Sequence, residues 1–152
     1  MNNVEINKQA RLSEHFTLAE MCKTSVITAD GNIPSHVHIE NLKRLCGWLE
    51  SLRYRCNNTP IIINSGYRSP AVNKAVGGAS NSNHLTGCAV DIHVAGIEQA
   101  LRHATILLDI SDESKEDFDE LLIEKSSKSI WVHFAVRPKD NRRRVEFLRT
   151  SR

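Results

Sequence analysis

The chain of 152 residues carries 20 Lys and Arg against 18 Asp and Glu, a formal net charge of +2 with histidine neutral, and is 40% hydrophobic and 25% charged. This is the composition of one ordinary folded domain, long enough to bury a core without a disulfide or metal, and it excludes a disordered or fibrous chain. The longest apolar runs, Ile61-Ile62-Ile63 and Ile130 to Val136, are strand-sized and far short of the roughly 20 residues that cross a bilayer.

Residues 1–14 are polar, without the apolar stretch of a secretory signal, and are expected as an N-terminal tail on a chain synthesised in the cytoplasm. Thr17 and Glu20 have capping-box spacing, and Phe16 can staple to Met21, so a short helix starts there. Leu42, Leu45, Cys46, Leu49 and Leu52 form one apolar stripe and predict a helix from about His36 to about Arg55. Ile61 to Ile63, ended by Asn64-Ser65-Gly66, reads as a buried strand entering a loop. Ser69-Pro70 and Gly77-Gly78 bracket a two-turn helix, and the small polar stretch Ala79 to Thr86 reads as a surface loop.

Cys88 to Val94 alternates as a strand, with Cys88, Val90, Ile92 and Val94 on one side and Ala89, Asp91 and His93 on the other. Ile97, Ala100, Leu101, Ala104 and Leu108 trace a second helical stripe, and Asp112 to Asp119 reads as a solvated acidic loop. Two strands follow, Leu121 to Glu124 and Ile130 to Val136, the latter with Trp131, His133 and Ala135 opposite its apolar face. The basic segment 139–152 includes Arg142 to Arg144 beside Val145, Phe147 and Leu148, a pattern expected to pack as a terminal helix. Helices followed by a small, mostly antiparallel sheet predict a single α+β domain spanning 1–152.

The four cysteines, Cys22, Cys46, Cys56 and Cys88, have no C-x-x-C pairing and read as buried or incidental free thiols. Among the seven histidines, His84 and His133 are placed with Asp91 on polar faces of apolar-backed strands or at a loop mouth. Such groups need mutual partners or a cation to offset desolvation. Two imidazoles and a carboxylate leave one position of a tetrahedral zinc open, as a catalytic rather than structural site does. Each residue taken alone is better read as a hydrogen-bonded structural group, because the spacing lacks the helical H-E-x-x-H pattern.

Ser82-Asn83-His84-Leu85-Thr86-Gly87-Cys88-Ala89-Val90-Asp91 fits S-x-H-x-x-G-x-A-x-D, the zinc signature of the M15 peptidases, which include D-Ala-D-Ala carboxypeptidases and peptidoglycan L-Ala-D-Glu endopeptidases of phage endolysins. Ser65-Gly66-Tyr67-Arg68-Ser69-Pro70 resembles that family's S-G-Y-R-S loop, and Trp131-Val132-His133 its W-x-H segment, so the resemblance runs from about Phe16 to about Arg144. It implies a hedgehog/D-Ala-D-Ala peptidase-like fold and one zinc on His84, Asp91 and His133. It implies that Arg68 anchors substrate and assists catalysis, with Ser82 and Tyr67 beside it, that Gly87 permits the turn before Asp91, and that His93 stands behind the ligands. The position three before His133 holds an acid in several relatives but is Ile130 here. Phe118-Asp119-Glu120-Leu121-Leu122-Ile123-Glu124 resembles the F-D-x-L-I-x-E segment that supplies the acid in another subgroup, which implies Glu124 as general base. Asp119 and Glu120 close an acidic run and are expected to face solvent.

The expected protein is thus a zinc metallopeptidase cutting an amide bond in peptidoglycan stem peptides, a monomer that binds neither nucleic acid nor membrane. Without a leader it is expected to reach the cell wall by release, as endolysins do, or to act in the cytoplasm. The competing reading is a catalytically silent, zinc-containing module that binds such peptides, which Ile130 favours and which Arg68 with Glu124 opposes.

Overall fold

Capping chemistry sets where the first helices begin. In this computed structural model, which describes residues 6–150, Thr17 and Glu20 make the reciprocal box at α1 (Leu18–Met21), the Glu20 N–H donating to Thr17 Oγ1 at 3.2 Å. Ser35 does the same for α2 (His36–Arg55), where the ring of His38 returns the bond in place of a carboxylate. Ser69 caps α3 (Pro70–Ala75) with proline at N1, and Gly77 takes φ 73 beyond its end. The last helix, α4 (Ile97–Ser114), starts at Gly96 without a side-chain cap.

Five strands, β1 (Ile63–Ser65), β2 (Ala89–His93), β3 (Glu120–Lys125), β4 (Ile130–Ala135) and β5 (Arg144–Arg149), form one open sheet in the order β1-β2-β4-β3-β5. All neighbours are antiparallel except β3 and β5. The fold is therefore α+β, as the element pattern predicts. Period-2 alternation divides the sheet into two chemical faces. Val90, Ile92, Leu121, Ile123, Val132 and Phe134 pack with Leu42, Leu45, Leu49 and Leu52 of α2 in the core, and Phe134 lies between Trp48 and Phe118 at ring-centroid distances of 5.3 and 5.7 Å. The opposite face carries Asp91, His133, Glu120, Leu122, Glu124 and Trp131, all lining one cleft of about 330 Å³.

Several expectations shift. The basic C-terminal segment is a strand, not a helix. The open edge of β3 offers a full row of backbone partners, with Glu120 opposite Arg144 and Lys125 opposite Arg149, and that pairing outweighs a weak helical pattern. The buried face of α4 is Ala100, His103, Leu107, Ile110 and Ser111, rotated from the predicted stripe so that Leu101 is half-exposed. The helix also extends to Ser114, absorbing the start of the acidic segment, and the end of that segment is not solvated, because Asp119 is fully buried. Ile62 is exposed between buried Ile61 and Ile63, so that strand alternates and begins two residues late.

Residues 6–14 do not hang free as a tail: Leu12 N donates to Phe16 O at 2.8 Å and Ala19 N to Lys8 O at 2.7 Å, folding the segment onto α1. Residues 1–5 of the expected tail, and 151–152 of the basic segment, lie outside the described residues. The four cysteines are free thiols, three of them buried.

Candidate metal centre

Strand register and one tight turn assemble the three candidate ligands. Asp91 of β2 lies directly opposite His133 of β4, on the face away from the core. His84 sits on a 3-10 turn, Asn83–Thr86, rather than on an open surface loop, and both Asn83 and His84 are buried. Ser82 caps this turn by accepting the His84 N–H at 3.1 Å, and Gly87 ends it at φ 74. Any side chain at Gly87 would bring its Cβ to 2.6 Å from the His38 carbonyl of α2, so glycine is required both for the left-handed turn and for the close approach. The preceding loop is locked in the same way. A Cβ at Gly66 would lie 2.2 Å from Met21 O, while Tyr67 N donates to that carbonyl at 2.8 Å and Arg68 N to His84 O at 3.0 Å.

His84, Asp91 and His133 offer one ligand atom each, all within 4.8 Å of one another. His84 Nε2 lies 3.3 Å and His133 Nδ1 3.0 Å from the same oxygen, Asp91 Oδ1. Ligands at about 2.0–2.1 Å from a tetrahedral ion stand roughly 3.3 Å from each other, so these separations suit a shared cation. The protonation pattern also suits one. His84 Nδ1–H donates to Gly66 O at 2.7 Å, which fixes the ring with Nε2 turned to the Asp91 carboxylate, the way a backbone carbonyl orients a metal-binding imidazole.

Electrostatics agree. Burial pushes Asp91 up, but His84 and His133 hold its carboxyl far below the usual carboxylate range. Burial pushes the His133 imidazole down, yet the hydrogen bonds of Asp91 and Glu120 raise it to about 10. The pocket is built to hold positive charge between its acids.

A second layer of side chains holds the ligands in place. Arg68 donates through Nη2 to Asp91 Oδ2 at 3.3 Å, through Nε to Ser65 Oγ at 3.1 Å and through Nη1 to Asn73 Oδ1 at 3.3 Å, and it lines the cleft. Glu120 and Glu124 of β3 flank His133 diagonally, since Leu122 is its direct partner. Their surroundings differ. Glu120 Oε1 accepts from His133 Nε2 at 3.0 Å and from Asn83 Nδ2 at 2.7 Å, while Arg144 Nη1 donates to its Oε2 at 3.2 Å. Burial raises its pKa, but His133 and Asn83 outweigh that and hold it at about 2. Glu124 accepts from the indole Nε1 of Trp131 at 2.5 Å and otherwise faces the cleft.

The sequence reading places Glu120 and Asp119 in solvent, which the structure corrects: both are buried and both belong to this network. Had the predicted strand been extended one residue backward from Leu121, its alternation would have put Glu120 on the same face as Glu124. Asn83, Arg137, Arg142 and Arg144 were missed as well, and only their neighbourhood to the motifs hinted at them. Tyr67, expected at the substrate, is buried in the core and stacks on His38 at 5.0 Å. His93 shares the Asp91 face but is exposed and lies outside the cleft lining. Ile130 packs against the core, because three residues along a strand reverses the face, so an acid at that position would point away from the cleft.

Asp119 ties this layer to the chain. Arg142 donates to it through Nε and Nη2 at 3.0 and 2.8 Å, Asn83 Nδ2 at 2.8 Å, and Arg137 Nε lies at 3.2 Å. Burial raises its carboxyl, but these partners hold it at about 2, below the roughly 3.9 of an unfolded aspartate. A depressed pKa stabilises the fold above the unfolded value and loses that contribution as pH falls through the folded one. Asp119→Ala is therefore expected to cost about 3 kcal/mol at neutral pH in urea unfolding and to flatten the loss of stability between about pH 4 and pH 2.

A family model for peptidase M15 matches residues 14–133, and the chain belongs to that family. Over 78 residues it is 33% identical to the zinc D-Ala-D-Ala carboxypeptidase of Streptomyces albus G, an alignment covering 51% of this chain and 31% of that protein. The chain thus spans under a third of that relative's length. Among the described residues no helix is long and apolar enough to cross a membrane.

Proposed function

We propose that the protein is a zinc-dependent peptidase that hydrolyses an amide bond in peptidoglycan stem peptides, as a D,D-carboxypeptidase or an L-Ala-D-Glu endopeptidase. The observation that carries this reading is the convergence of His84 Nε2, Asp91 and His133 Nδ1 beside two further carboxylates and an arginine in one cleft. The family and the Streptomyces relative, a zinc D-Ala-D-Ala carboxypeptidase by name, support it.

When bound, zinc supplies a Lewis acid that polarises a carbonyl and acidifies water near neutral pH. The chain's own groups do the rest. Glu124, oriented by the Trp131 indole, takes a proton from the attacking water and hands it to the leaving amine. Glu120 is not available for that task, since His133, Asn83 and Arg144 engage both of its oxygens. It fixes the His133 ring so that Nδ1 faces Asp91, the role carboxylates play behind metal-bound imidazoles. Arg68 orients Asp91 through Oδ2, and its guanidinium lines the cleft, where it meets a substrate carbonyl oxygen.

The test is digestion of purified peptidoglycan by the protein reconstituted with one equivalent of zinc, with and without a chelator, and mass spectrometry of the soluble products. Stem-peptide fragments that disappear on chelation and return with zinc are expected, and their masses name the bond. Bound zinc with no released fragment would favour the silent peptide-binding module instead.

A further inference from the structure

Beyond the residues matched by the family model, the chain adds a wall to the cleft: Arg137 after β4, then Arg142 and Arg144 entering β5. The charges on this wall are layered. Asp119 is fully buried and Glu120 nearly so, at 0% and 12% side-chain exposure, whereas Arg137, Arg142 and Arg144 are exposed at 33%, 49% and 38%. A molecule entering the cleft meets guanidinium groups and not the acids beneath them.

The three arginines are not equivalent. Arg144 is spent, donating to both oxygens of Glu146 at 2.9 Å and to Glu120. Arg142 uses Nε and Nη2 on Asp119, leaving Nη1. Arg137 is held only by its inner nitrogen, Nε donating to Asn83 Oδ1 at 3.0 Å, so both terminal nitrogens lack a hydrogen-bond partner among the described residues. Asn83 also bonds Glu120, which bonds His133, and precedes His84 in the chain. The unspent donors are therefore tied, through one asparagine, to both imidazoles of the metal centre. They lie on the β3–β5 side of the triad, while Arg68 follows β1 on the other.

We propose that Arg137, with Nη1 of Arg142, forms a carboxylate-binding subsite that reads a free acid group on the substrate residue next to the scissile amide. A planar fork braced at its inner nitrogen is preorganised to accept a carboxylate with two parallel hydrogen bonds, a geometry that a carboxamide cannot match because it offers one oxygen and no charge. With Arg68 engaged on Asp91, the β5 side is where substrate charge is recognised. The subsite rests on the peptidase reading for its substrate but not for its test.

The experiment uses matched synthetic stem peptides that differ only in whether the carboxyl beside the susceptible amide is free or amidated. Two quantities are measured on zinc-loaded protein: kcat/KM, and affinity by calorimetry in the presence of the uncleaved peptide or in the Glu124→Gln background. Wild type is expected to prefer the acid by about 10-fold or more in both. Arg137→Gln is expected to bring the ratio to within about twofold, and Arg137→Lys, which keeps charge but not the fork, to leave it in between. Thermal melting of each variant checks that it is folded, and the ratio is internal to one variant, so a loss of active protein does not move it. Equal treatment of acid and amide by wild type, or a preference that survives in Arg137→Gln, overturns the subsite. If wild type binds the acid preferentially yet cleaves nothing, the subsite stands and the hydrolase reading falls.

Discussion

Glu124→Gln is expected to leave bound metal in place and to lower kcat by roughly 10²- to 10⁴-fold, the range for loss of a positioned general base. The substitution is close to isosteric, and the glutamine can still face Trp131 Nε1, which holds Glu124 at 2.5 Å. Because Glu124 contacts none of His84, Asp91 and His133 through a hydrogen bond, zinc stoichiometry measured by atomic absorption should stay unchanged. Glu120→Gln is the companion measurement. Glu120 touches His133 directly, so its loss should weaken metal affinity by about 10- to 100-fold, the usual effect of removing a partner behind a ligand. The reverse pattern, with Glu120→Gln inactive while zinc-loaded and Glu124→Gln fully active but weaker in zinc affinity, would show that the two glutamates have been given each other's roles.

His133→Ala should abolish both metal retention and turnover. The imidazole is one of the three proposed ligand groups and also separates two carboxylates, Asp91 at 3.0 Å from Nδ1 and Glu120 at 3.0 Å from Nε2. Removing it leaves those acids facing each other across a cavity, with Arg68 and His84 beside Asp91 and Arg142 and Arg144 beside Glu120. Zinc should fall from about one equivalent to near zero after dialysis, and activity below detection, because two ligands seldom hold a catalytic zinc. A protein that retains a full equivalent of zinc without His133 would place the metal elsewhere.

Those candidate ligands were legible in the sequence because strand alternation and the resemblance to the M15 zinc signature coincide on them. Alternation in Ala89 to His93 and in Ile130 to Ala135 tells which side chains leave the core, and the glycine at 87 marks the turn that brings His84 beside them. Helix limits read well where caps are local, as at Thr17 and Ser69, and the apolar stripe alone placed the start of α2 near His36. What was not legible depends on pairing between distant segments. Arg142 to Arg149 has no strong period of its own, and only the vacant edge of β3 makes it a strand. Asp119 and Glu120 read as the end of an acidic run, since nothing nearby in sequence announces that Asn83, Arg137 and Arg142 will surround them. The buried face of α4 was misjudged for a related reason: His103, a residue scored as polar, lies on the core side with its Nδ1 3.8 Å from Cys56 Sγ, and burial lowers its pKa so that it enters the interior neutral.

The open sheet has two unpaired borders, and they are protected differently from self-association. At one, β1 is only three residues long and its register with β2 shifts between Ile63 and Ser65, too short and irregular a template for another strand to extend. At the other, β5 is long and carries the half-exposed apolar residues Val145 and Phe147, a combination that invites docking of a second sheet. Arg144 and Glu146 alternate with them on that strand, and Arg149 follows on their own face. An incoming strand would have to strip water from those charged groups and disturb the Arg144–Glu146 pair. The arginine-rich segment that walls the cleft thereby also keeps the sheet from growing into a fibre.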